Sequence, residues 1–455
     1  MSSPQQATPA ADQPANGIEW WAVGSVLLSV FLVVMDVSIA NVALPALSRE
    51  LEVSSANSVW VVSAYQVASA ASILPFAALG ARLGNRRVYI GGLAVFLLCS
   101  LFCATASDFT GLVIARFAQG LGASAVMAVN AAMLAQLFPM NRLGQGIGWN
   151  ALTVGIAFAA GPVVSALLLT FAGWRWLFLI NLPIGGLALL GCLKFLPASK
   201  QHPGSFRPLA SLLCFLLVMG TSLAAVLVSQ GQISQWLALV VIVAVLAGFL
   251  LWRVERGRDF PVLPVDLLRL PMFRLSCLTA VFAFATQATI FVSLPFFFAH
   301  LLNYSSLQIG LALTPWSVAV ALMAPIVGRA ADKFHPGPMG AAGFVLIALV
   351  LGIFSGWPDE LVLTLMLMLL GGMGFSLFQS PNQRAMIAST PAHRRSAASG
   401  MVASSRLIGQ TLGAGVAALC LLVDGIHGAS YALYLGILLA LGSALCSGLR
   451  VRIKG

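Results

Sequence analysis

The stretch VVMDVSIANVALP at 33–45 places a carboxylate, Asp36, directly after the almost wholly apolar run WWAVGSVLLSVFLVV. An ionisable group at that depth in hydrocarbon costs a few kcal/mol, about 3 on insertion scales, and persists where it meets a cavity or a partner. A buried carboxylate can take up and release a proton, with an affinity set by burial and by any neighbouring cation. Arg116, inside LVIARFAQGLGAS, is the natural partner. Counted from the expected helix ends at about 1.5 Å per residue, the two side chains lie within about 5 Å in height. Two readings of the pair stand. One is an ion pair that only fixes packing, with little net gain over apolar residues. The other is a coupling site at which a proton and a substrate compete.

The remaining acids fall in tails, loops or helix ends, as do all five histidines. A proton carrier within the membrane is therefore Asp36 or nothing apparent. Arg406, one turn before Gln410, is a second intramembrane cation, suited either to an anionic group on a substrate or to carbonyls near one surface. Tyr65, Gln66, Asn130, Gln287, Gln379 and Asn382 are candidate cavity groups, each equally explicable as a helix-packing hydrogen bonder. Trp316, with Phe291, Phe296, Phe297 and Phe298, is a candidate for an apolar wall. The seven cysteines sit in apolar runs without metal-ligand spacing to histidine, so we expect no metal site. Nor is there a phosphate-binding loop or a nucleophile elbow. We expect no cofactor, no enzymatic activity and no ATP-driven pumping.

The elements that must position these residues follow from composition. Of 455 residues, 60% are hydrophobic and 8% charged, against roughly 25% charged in soluble domains. Many apolar runs reach the roughly 20 residues that span a bilayer as a helix. They are continuous rather than alternating, which selects helices over a barrel. The expected fold is an all-α membrane protein with spans near 21–45, 58–80, 87–106, 110–137, 145–171, 176–196, 208–229, 233–252, 274–300, 307–330, 339–357, 360–388, 397–423 and 428–449. Fourteen spans put both termini on one side. The loops on that side and the C-terminal tail carry twenty Lys and Arg, the other side two, Arg49 and Arg175. Both termini are thus expected in the cytoplasm. The same rule accounts for the +11 net charge without invoking nucleic acid. Most tryptophans lie near helix ends, as an interfacial belt requires.

The chain divides into a disordered polar tail (1–18), a six-helix bundle (19–198), a linker with two extra helices (199–254), a surface segment (255–273) and a second six-helix bundle (274–455). Equal halves suggest a duplication with a pseudo-twofold axis. The basic, glycine-bearing turns AALGARLGNRRVYI and GRAADKFHPGPM recur at corresponding places in the two halves.

Taken together, these stretches resemble the fourteen-helix drug:proton antiporters of the major facilitator superfamily. VMDVSIANVALP at 34–45 is similar to the helix-1 signature of that branch, LVIARFAQGLGAS at 112–124 to its helix-4 motif, and GPVVSA from Gly161 to the end of its helix-5 motif. WRWLFLINLPIG at 174–185 is the most specific match, and the 378–413 stretch resembles exporters of methyl viologen and quaternary ammonium compounds. Three departures stand out. Ala81 and Asn85 replace an acid and a base of the first cytoplasmic turn, although Arg82, Gly84, Arg86 and Arg87 remain. Ala157 replaces a helix-5 glycine. No further acid lies at mid-depth in the second half.

The resemblance implies proton-coupled efflux of hydrophobic compounds, cationic drugs or biocides in the leading reading, from the bacterial inner membrane, by a monomer. It assigns proton coupling to Asp36 and Arg116. Conformational roles fall to the two basic turns, including Gly328, Asp332 and Lys333, and to Gly161 and Pro162 of helix 5. Alternatives are an exporter of a dedicated metabolite, possibly anionic, and a membrane sensor that transports nothing.

Overall fold

The computed structural model describes residues 18–139, 142–199, 207–229, 231, 235–256, 265–331, 334–356, 360–391, 395–425 and 427–452. Among them are fourteen helices long and apolar enough to cross a membrane, and no strand. The first half holds α1 (Trp20–Glu50), α2 (Ser55–Leu83), α3 (Asn85–Thr105), α4 (Phe109–Leu137), α5 (Leu143–Phe171) and α6 (Trp176–Phe195). The inserted pair is α7 (Pro208–Ser229) and α8 (Gln235–Glu255). The second half holds α9 (Pro271–His300), α10 (Ser306–Ala330), α11 (Pro336–Gly356), α12 (Leu361–Ala388), α13 (Arg395–Val423) and α14 (Gly428–Leu449). The disordered tail expected at 1–18 lies, but for its last residue, outside the described residues.

Helix starts are written locally. Ser54 Oγ accepts from Asn57 N at 3.1 Å to open α2, and Asp108 Oδ1 accepts from Gly111 N at 2.6 Å to open α4. Ser305 and Gln308 form a reciprocal capping box at α10. The largest boundary difference is in α1, which runs past Pro45 to Glu50 instead of ending there. Proline removes only one backbone donor and bends a helix as readily as it stops one when tertiary packing holds both sides. Pro45 and Leu47 are both buried in this bundle.

Apolar packing in lipid depends on backbones approaching closely over small residues. In the first half α3 crosses α4 where Gly92 lies against Ala125 and Gly122 against the backbone of Phe96. In the second half Gly409 and Gly413 of α13 lie against the α9 backbone, and Thr289 Oγ1 donates to Gly413 O at 3.0 Å. Large apolar side chains such as Leu98, Phe102, Leu187 and Leu438 point outward, as a lipid-facing surface requires. Of the tryptophans near helix ends, Trp20, Trp21, Trp176, Trp236 and Trp252 are exposed, whereas Trp174 is buried beside Phe178.

The halves meet along three seams, α5 with α10, α2 with α13 and α1 with α9. At the first, a Cβ added at Gly310 would fall 2.5 Å from Pro162 O and from Ala166 Cβ. Overpacking of this kind costs about 1–3 kcal/mol, so Gly310→Val should push the halves apart at that end. We expect proton-driven efflux to fall by about tenfold at equal membrane abundance. Unchanged efflux would show that the contact does not form in the working cycle.

The second seam is covered by the inserted pair. Leu213, Cys214 and Val218 of α7 pack with Ile73 and Leu74 of α2 and Leu407 of α13, while α8 lies outside α7. The pair thus bridges both halves. Arg207 and Glu255 tie the start of α7 to the end of α8 at 2.9 Å.

Candidate functional site

Asp36 and Arg116 form a direct ion pair, Nη1 to Oδ2 at 2.6 Å, with both side chains 1% exposed. Asp36 sits on α1 and Arg116 on α4. The carboxylate accepts two further bonds at Oδ1, from Gln119 Nε2 at 3.1 Å and from Asn181 Nδ2 at 2.8 Å. Arg116 also donates to Gln119 Oε1 at 2.6 Å and to the Val61 carbonyl at 3.0 Å. Ser100 Oγ joins from α3, accepting from Gln119 at 2.8 Å and from Asn181 at 3.2 Å. A buried charge pair is tolerable only when its remaining lone pairs and protons are satisfied in this way. Five of the six first-half helices contribute a group to the cluster.

Gln119, Asn181 and Ser100 were absent from the sequence-derived candidates. Gln119 was within reach of that reading, since a residue three after Arg116 shares its helix face. Asn181 lies within WRWLFLINLPIG, the most specific stretch of the resemblance, and Ser100 is an isolated polar residue in an apolar run, but neither carries a local sign that it turns toward Asp36.

The carboxylate borders neither of the two spaces found between the halves among the described residues. It is 2% exposed and turns from α1 toward α4 and α6. On the adjoining face of α1, Val33, Val34 and Val37 border a partly open cavity between the halves. Tyr65 connects the two. It lines the cavity, and its ring lies 4.4 Å from the guanidinium carbon of Arg116. Gln66 and Ser69 of α2, Ser124 of α4, Phe158 of α5, and Arg406 and Gln410 of α13 complete the polar and aromatic wall. A smaller adjoining space reaches Asn41, Gln287 and Phe291. Helical spacing explains the α13 contribution. Arg406 and Gln410 are one turn apart on the face toward the cavity, while Gly409 and Gly413 occupy the face against α9.

The cavity candidates therefore divide. Tyr65, Gln66, Gln287 and Arg406 border the two spaces. Asn130 is hydrogen-bonded to Asn150 at 2.8 Å. Trp316 is buried between Phe291 and Phe375. Phe296 and Phe298 are fully buried. Asn382 accepts from Arg450 Nη1 at 2.7 Å and donates to Ser276 O at 3.2 Å, in a separate polar cluster at the end of α14. Gln379 is half-buried and does not border either space.

Among the residues singled out for conformational roles, Gly84 turns the chain between α2 and α3 at φ 93°, a left-handed value that favours glycine. Arg86 of that turn donates to Leu193 O at 2.7 Å within the same half. Arg82 and Arg87 flank it, exposed. Gly161 lies directly on Ser38 of α1, and Ser165 Oγ donates to Ile39 O at 3.1 Å. Pro162 presents its carbonyl to Gly310 across the seam. Gly328 ends α10 in open space. Asp332 and Lys333 lie outside the described residues.

A family model described as Major Facilitator Superfamily matches residues 26–252 and 276–453. The chain belongs to the major facilitator superfamily. It is 40% identical to the uncharacterized transporter YebQ of Escherichia coli, over 94% of this chain and 95% of that one. It is 28% identical to the riboflavin transporter RibZ of Clostridioides difficile, covering 87% and 86%. It is 31% identical to the multidrug resistance protein Stp of Mycobacterium tuberculosis, covering 85% and 73%. A crystal structure of a peptide transporter in complex with sulfate superposes with a TM-score of 0.72 at 14% identity, covering 95% and 94%. This major facilitator is accordingly a multi-pass membrane transporter of small molecules, with two six-helix bundles and an inserted helix pair.

Proposed function

We propose that this major facilitator is a proton-coupled antiporter that exports hydrophobic compounds, drugs or biocides among them, by alternating access. The observation that carries the reading is the join between a buried, satisfied carboxylate and the cavity. Asp36 bonds Arg116, and Arg116 lies on Tyr65, a wall of the cavity. A proton arriving at Asp36 removes the counter-charge of Arg116. The guanidinium then seeks other acceptors, and Tyr65 beneath it moves with it, altering the cavity wall. Loss of the proton toward the cytoplasm restores the pair. The multidrug resistance relative supports export of drugs.

The test is dye efflux by the purified protein in proteoliposomes, with and without an imposed proton gradient. Transport that continues unchanged after the gradient is dissipated would sink the proposal, as would proteoliposomes that move nothing. We place both termini in the cytoplasm on the strength of the basic-residue asymmetry, and take a monomer in a bacterial inner membrane from the superfamily and its bacterial relatives. Green fluorescent protein fused after Gly455 should then fluoresce, and a dark fusion at normal abundance would reverse the orientation.

One observation favours a second reading of the substrate. The charged residue bordering the cavity is an arginine, so a substrate bearing an anionic group fits the wall better than a cation.

A further inference from the structure

We infer that Arg406, with Tyr65 and Gln66, forms a seat for an anionic group on the substrate, and that the transported compounds are hydrophobic acids. The inference rests on the transport reading above and deepens it.

Arg406 is the one formally charged side chain among the described residues lining the two spaces. It makes no hydrogen bond or ion pair among the described residues, and its Nε is fully buried without an acceptor. Arginine has five N–H donors in a planar fork matched to carboxylates. Burying that group without a partner is expensive unless something else supplies the acceptors. The protein's own candidate cannot. Asp36 is committed to three donors from Arg116, Gln119 and Asn181 and does not border the cavity. Membrane arginines that merely pack find backbone carbonyls or side-chain oxygens, and two in this chain do. Arg116 takes Val61 O and Gln119 Oε1, and Arg450 takes Asn382 Oδ1. Arg406 differs from both.

The surroundings add a pattern. Gln66 Oε1 is buried without a donor, and Asn41 Oδ1 at the adjoining space is likewise unpaired. The Tyr65 hydroxyl makes no hydrogen bond among the described residues. A ligand that offers an anionic oxygen to Arg406 and a hydroxyl or N–H to Gln66 satisfies both. Most of the rest of the wall is apolar, from Val33 and Val37 to Ile73, Phe158 and Leu407, with Ser69, Ser124 and Gln410 as the other polar groups. Such a site fits an aromatic or polycyclic body carrying a carboxylate or an ionised phenol.

The experiment uses two xanthene dyes of similar shape, anionic fluorescein and cationic rhodamine 123. Binding to the purified full-length protein is read by fluorescence polarisation. We expect wild type to prefer fluorescein. Arg406→Gln should weaken fluorescein binding by about ten- to a hundredfold, the range of a lost hydrogen bond to a charged group, while rhodamine 123 binding is unchanged or improved. Arg406→Lys should keep part of the fluorescein affinity, since it keeps the charge but loses the fork. Preference for rhodamine 123, binding of neither dye, equal loss of both dyes in Arg406→Gln, or fluorescein binding unaffected by that substitution would each overturn the inference. Failure of the transport reading looks different, because fluorescein would bind through Arg406 yet not move in proteoliposomes under a proton gradient.

Discussion

Asp36→Asn should reduce proton-driven efflux to the background of protein-free vesicles while leaving substrate binding in place. The substitution is nearly isosteric. Its Oδ1 can still accept from Gln119 and Asn181, which keeps α1 tied to α4 and α6, while the bond from Arg116 is lost because an amide nitrogen replaces Oδ2. What is lost is the exchangeable proton, together with the counter-charge of Arg116. Asp36 does not border the cavity and reaches it only through Arg116 and Tyr65, so the variant holds the wall in the form it takes when Asp36 is protonated. The measurement is dye efflux from everted vesicles at matched abundance, paired with dye binding to purified protein. A variant that still pumps against a gradient driven by protons would make the Asp36–Arg116 pair a packing device and move the proton path elsewhere. Loss of binding together with efflux would instead show that the substitution disturbs the cavity.

Arg116→Leu should have the largest effect on stability. It leaves the Asp36 carboxylate, 2% exposed, with only its two amide donors. Removing one partner of a buried ion pair typically destabilises by about 3–5 kcal/mol, because the remaining charge is uncompensated. Gln119 Oε1 and Val61 O would lose a donor as well. We expect a clear fall in the thermal midpoint of the purified protein and lower membrane abundance. Adding Asp36→Asn to Arg116→Leu should recover much of that loss, since the orphaned charge disappears, without restoring transport. Such non-additivity is what a double-mutant cycle reports for groups in contact. Additive losses would mean that the two side chains do not depend on each other in the folded protein.

These predictions concern one half of the molecule. The anion seat draws its charge from the other, and Tyr65 lies between them. A proton site and a substrate site that share only one intervening side chain can influence each other without sharing a ligand.

Much of this was legible in the chain itself. Fourteen spans, their division into six, two and six, and the isolation of Asp36 and Arg116 among apolar residues follow from one-dimensional patterns. Lipid imposes length and hydropathy on each helix separately, so each helix can be read alone. The height match of Asp36 and Arg116 was also a single-helix quantity, a rise per residue along two axes. Pairings across helices are different. Nothing near Asn181 or Ser100 states that they converge on Asp36, because that depends on how α1, α3, α4 and α6 rotate about their own axes. Helix rotation is decided by close packing over small residues, such as Gly92 on Ala125 and Gly161 on Ser38, and not by hydropathy. For the same reason Asn382 and Arg406, both polar and both in second-half helices, looked alike in sequence. Tertiary packing alone gave Asn382 to Arg450 and left Arg406 at the cavity with its Nε unpaired.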